Sequence, residues 1–214
     1  PHFHRGFRHW KSIMRHTLSL LLLLLFAPPA LAERPAELHR LPEPAGLGRL
    51  LTAPDGGRSA LVIILPDALG DDGRAELYAE ALAARGIASL TLGLGEDADS
   101  PTAPPVEPAS TKAAIPVALE WAAAAGFEPA RVALIGIGAG GRAALAEDAG
   151  TVLVALYPGC TGLPIPTRSQ ALILYGGDVA DAPVCAALTM PAGVTIHALR
   201  GVGHAWDVPG ALWP

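Results

Sequence analysis

The sequence predicts a single α/β domain with a mostly parallel sheet of about six or more strands and helices on both faces. Short, largely apolar runs of five to seven residues recur along the chain, as strands buried on both sides of a sheet require. Stretches with helical spacing separate them, so the strands are joined by crossovers. Glycine-rich turns follow several of the runs, in the loops where such sheets place their ligands.

Taken in order, a proline-rich lead-in (Pro35, Pro42, Pro44) precedes a first strand at residues 60–65. Asp71 and Asp72 can cap the next helix, in which Leu77, Tyr78, Ala81 and Leu82 share one face and Gly86 supplies the stop. A second strand at residues 87–92 leads into an acidic, proline-rich linker at residues 96–108. The helix that follows ends near residue 125, and Pro116 is expected to limit its start, because proline lacks the amide donor and crowds the preceding turn. Residues 131–135 form a third strand running into a glycine cluster and a helix over about residues 142–147. Strands at residues 151–157, 171–175 and 194–199 complete the set. No repeat or second domain is visible.

The 214 residues are 51% hydrophobic and 16% charged, with 24 glycines and 21 prolines, which excludes a disordered chain or a collagen repeat. These averages mix two regions. Arg5, Arg8, Lys11 and Arg15 precede an apolar run at residues 18–26, which ends in the small-residue pattern Ala30, Leu31, Ala32. That order is expected of a signal peptide at residues 14–32. The run is too short to span a bilayer, which needs roughly 20 residues. Residues 1–13, upstream of Met14, are assigned no function. Cleavage after Ala32 leaves a domain at residues 33–214 with all 20 acidic and 11 of the 15 basic residues, a net charge of −9 rather than −5. Such a balance excludes a nucleic-acid surface. Only His39, His197 and His204 remain for chemistry. Cys160 and Cys185, in a chain bound for the periplasm or the extracellular space, are expected to form one disulfide. Two cysteines so spaced, with no histidine cluster nearby, do not suggest a metal site, and no cofactor is expected.

The loops after the strands carry, in order, Pro66, Asp67, Ala68, Leu69 and Gly70; then residues 136–141 (Gly136, Gly138, Gly140 and Gly141 around Ile137 and Ala139); then Gly176, Gly177 and Asp178; then Gly201, Gly203 and His204. From about Leu61 to Trp206 the chain resembles the α/β-hydrolase superfamily, and within it the dienelactone hydrolase-like family. The resemblance implies a strand-to-helix elbow of pattern G-x-(Ser or Cys)-x-G-G, an acid after the next-to-last strand, and a histidine after the last. It places the general base at His204, followed by the family's aromatic at Trp206, and the orienting acid at Asp178, with Asp181 as an alternative. The backbone amides of Ala68 and Ala139 stand at the oxyanion hole, and Asp67 stands in the pocket where the family carries a glutamate. The segment Tyr157, Pro158, Gly159, Cys160 resembles secreted members. The nucleophile's place is taken by Gly138, which has no side chain. The family's C-terminal helix is not expected in the ten residues after His204, which include Pro209 and Gly210; either this branch has lost it or the chain is truncated.

Three function classes stay open. By resemblance the chain hydrolyses small esters or lactones, with His204 activating water or Cys160 recruited as nucleophile. By its residues it is a non-catalytic descendant that binds a small ester, lactone or carboxylate. Gly136, Gly138 and Gly141 also spell G-x-G-x-x-G, a dinucleotide-binding pattern. No nucleic-acid partner and no stable membrane span after processing are expected.

Overall fold

The computed structural model describes residues 36–53, 55–68, 73–93 and 108–208. The expectations for the signal peptide, the Asp71 and Asp72 cap, the linker at residues 96–107 and the last six residues lie outside them. Among the described residues, strands β1 (Glu37–Arg40), β2 (Leu47–Leu51), β3 (Leu61–Leu65), β4 (Ala88–Leu92), β5 (Val132–Ile137), β6 (Val152–Leu156), β7 (Gln170–Gly176) and β8 (Val194–Leu199) form one sheet. Their order is β1-β2-β4-β3-β5-β6-β7-β8. The pairs β1/β2 and β2/β4 are antiparallel and every other pair is parallel. Four helices accompany it: α1 (Arg74–Ala83), α2 (Pro108–Ala124), α3 (Ala139–Glu147) and α4 (Ala182–Ala187). None is long and apolar enough to cross a membrane.

β3 shows why the sheet is covered on both sides. All five of its residues are buried. Leu61, Ile63 and Leu65 pack with Ala114, Ile115 and Ala118 of α2 and with Ala144 and Leu145 of α3. Val62 and Ile64 point the other way, to Ala75 and Ala79 of α1. The period-two alternation of a strand thus divides one apolar run between two layers.

Three local expectations need correction. The lead-in forms β1 and β2, joined by a turn closed by the Leu41 amide on the Gly46 carbonyl. β1 is an edge strand with mostly exposed residues, so it needs no apolar run. Pro116 lies inside α2. It faces solvent while Ala114, Ile115, Ala118 and Ala122 are fully buried, and that packing holds the helix across the lost backbone hydrogen bond. α3 begins at Ala139, three residues early, because Gly140 enters the helix where a Cβ would lie 2.4 Å from the Pro66 carbonyl oxygen. Only glycine lets this first turn lie so close to the end of β3.

Candidate functional site

The ends of β3, β5, β6 and β8 meet at the carboxyl edge of the sheet. Gly138 sits between β5 and α3 with φ 51° and ψ −113°, a conformation open to glycine at little cost. Its amide is held by the Leu156 carbonyl at 2.9 Å. The turn thus leads from strand to helix with no side chain at position 138.

Asp67 fills the gap. Its Oδ1 accepts the amide of Ala68 at 2.7 Å and that of Ala139 at 3.0 Å. These are the two donors assigned to the oxyanion hole. Ala139 opens α3, so its amide has no partner within the helix and carries the positive end of the helix dipole. Asp67 Oδ2 reaches Arg74 Nη2 at 3.3 Å. A Cβ built on Gly138 would lie 2.3 Å from Asp67 Oδ1 and 2.5 Å from its Cγ. The carboxylate thus takes both of these amides and fills the space of a side chain at position 138.

A second layer supports this plug. Arg74 is buried and donates from Nη1 to the Tyr157 hydroxyl at 2.6 Å. Tyr157 donates in turn to Asp207 Oδ1 at 2.6 Å, and Tyr78 donates to Asp207 Oδ2 at 2.5 Å. Burial, reinforced by the bonds to Asp207, pushes both phenols well above their usual range and keeps them neutral donors. Tyr157 follows β6 with a positive φ of 38° and anchors its amide on the Leu174 carbonyl. His204 and Trp206 stand edge-on to its ring, with centroids 5.0 and 4.7 Å away.

Of the other assigned residues, His204 touches this layer through Tyr157, whereas Asp178 and Asp181 are not gathered with it. His204 is exposed, and among the described residues no hydrogen bond or ion pair joins it to Asp178 or Asp181. Asp178 is exposed in a loop held by its amide on the Val202 carbonyl. Asp181 accepts the Cys160 amide at 2.7 Å, beside the Cys160–Cys185 disulfide. Cys160 is buried and has no free thiol for nucleophilic work. Arg74, Tyr78, Tyr157 and Asp207 went unassigned in the sequence. Arg74 and Asp207 gave no signal, since a charged residue at a helix start or near a chain end reads as solvated.

Solved structures share this architecture. A dienelactone hydrolase from Anabaena variabilis aligns with TM-score 0.60 and 20% identity, covering 82% of this chain and 89% of its own. An α/β serine hydrolase without a lid from Xanthomonas campestris aligns with TM-score 0.58 and 16% identity, over 84% and 89%. The chain has the α/β-hydrolase fold. A thermophilic esterase from Thermogutta terrifontis has it too, with TM-score 0.56 and 15% identity over 86% and 87% of the two chains. No family model matches the sequence, and no curated protein matches it by sequence.

Proposed function

We propose that this chain is an α/β-hydrolase-fold protein that performs no serine- or cysteine-type hydrolysis. The observation behind this reading is the Asp67 carboxylate, which takes both amide donors of the hole and fills the space of a side chain at Gly138. Hydrolysis by the fold's usual route needs an attacking atom at the elbow and empty donors for the charge that develops on the carbonyl oxygen. Here the first is absent, and the second face a negative charge already in place. The purified protein should neither turn over p-nitrophenyl esters nor be labelled by a fluorophosphonate probe. Turnover that the probe abolishes would overturn the reading.

The same carboxylate weighs against a dinucleotide site at Gly136 to Gly141, because a pyrophosphate would need the helix N-terminus that Asp67 occupies. A small carboxylate ligand can bind at the hole only in competition with Asp67. Export is part of the proposal. Its support is the basic, apolar and small-residue order of residues 1–32 together with the Cys160–Cys185 disulfide, a bond that persists in oxidising compartments. N-terminal sequencing of material from outside the cytoplasm should begin at Glu33.

A further inference from the structure

The Cys160–Cys185 disulfide lies apart from the elbow, in a small apolar cluster with Tyr175, backed by Ala182, Leu188 and Ile196. The structure brings a third donor to it that the spacing of the two cysteines does not reveal. A carboxylate oxygen of Asp181 and the two sulfurs all lie within 4.8 Å of one another. Both cysteines are 1% exposed, whereas Asp181 is half-buried, so the group is open to solvent on the carboxylate side only.

Neither sulfur depends on the S–S bond alone for its place. Arg142 Nη1 and Nη2 tie down the carbonyls of Pro158, Gly159, Thr161 and Gly162, which fixes the loop on either side of Cys160. Asp181 Oδ2 holds the Cys160 amide at 2.7 Å, and the Asp181 carbonyl holds the Cys185 amide at 3.0 Å. Two sulfurs on a tetrahedral ion, each about 2.3 Å from it, stand about 3.8 Å apart. Small side-chain rotations about fixed backbones reach that separation once the bond is cut.

We propose that Cys160, Cys185 and Asp181 form a redox-dependent site for a thiophilic divalent cation such as Zn2+, closed while the sulfurs are bonded to each other and open once they are reduced. An added phosphine delivers two electrons to the S–S bond and is oxidised to its oxide with the oxygen of one water, whose two protons leave Cys160 and Cys185 as thiols. The cation displaces those two protons to solvent as it binds the two thiolates and the carboxylate, and water completes its shell on the exposed side.

The test uses the purified full chain, reduced with phosphine under inert gas and titrated with Co2+ as a spectroscopic probe. A near-ultraviolet thiolate-to-cobalt band should grow to one equivalent and vanish on adding Zn2+, with no band in the oxidised protein. Asp181→Asn keeps an acceptor for the Cys160 amide but is a poorer metal donor, so its apparent Kd for Co2+ should rise by about tenfold or more while the band persists. Cys185→Ala should abolish the band. Near-ultraviolet circular dichroism run alongside should show that the reduced chain keeps its native packing. Absence of the band in the reduced wild type, equal titration of Asp181→Asn, a band in the oxidised chain, or loss of native packing on reduction would each overturn the proposal.

Discussion

Asp67 and Gly138 constrain each other at the scale of single atoms. A Cβ at position 138 would overlap the carboxylate and would also sit on a backbone with positive φ. Gly138→Ala should therefore destabilise the protein by about 1–3 kcal/mol, measured by urea unfolding. Gly138→Ser should do the same without restoring esterase activity. Combining it with Asp67→Ala should recover part of the stability, because the overlap is gone. Asp67→Ala alone leaves two amides and the buried Arg74 without their carboxylate, a loss of about 3 kcal/mol. Acetate fits the vacated place, so added acetate should raise the Tm of Asp67→Ala in a saturable way and leave the wild type unchanged. Equal shifts in both proteins would show that Asp67 does not fill an anion site. Much of this centre was legible, because Asp67, Ala68, Gly138 and Ala139 hold fixed places relative to a glycine pattern. That the carboxylate enters the hole was not, since it depends on the missing side chain at 138 and on Arg74 beneath, a contact across seven residues that no local spacing encodes.

Among the elements, helices and central strands follow from periodicity, whereas the exceptions are held by tertiary packing. β1 gives no apolar signal because an edge strand carries polar residues, and the interior Pro116 predicts a shorter α2 than its packing sustains. As Pro116 is exposed, Pro116→Ala should restore one helical hydrogen bond and raise stability, by about 1–3 kcal/mol in thermal unfolding. The junction between α3 and β6 rests on a different device. Asp148 caps α3 in a left-handed conformation and takes the amides of Thr167, Arg168 and Ser169 on its carboxylate. Partial desolvation alone would raise its pKa, but the three amides outweigh it and hold the group well below its ordinary 3.8. A depressed folded value means that the unfolded chain binds the proton first, so this stabilisation is complete above about pH 4 and is lost as pH falls further, through the folded value. Asp148→Asn should lower stability at neutral pH and flatten its dependence on acid below pH 4, as read by denaturant unfolding at several pH values.

For the whole molecule, the question is which part the disulfide supports. The parallel sheet is anchored by two apolar layers that join β3, β5 and β6 to α1, α2 and α3, and neither includes Cys160 or Cys185. The bond closes a separation of 25 residues between the loop after β6 and the six-residue α4, a helix too short to persist without tertiary support. Chain-entropy reasoning gives a bond of this span about 2–4 kcal/mol. That contribution should be unevenly distributed, because neither core layer of the sheet contains a cysteine. Cys160→Ala with Cys185→Ala should therefore lower the Tm while the amides of β3 and β5 retain slow hydrogen exchange. Exchange should quicken chiefly in the short α4, because Arg142 still holds the carbonyls of Pro158, Gly159, Thr161 and Gly162 around Cys160. Uniform loss of protection through the sheet would mean instead that the satellite cluster under α4 belongs to the same cooperative unit as the core.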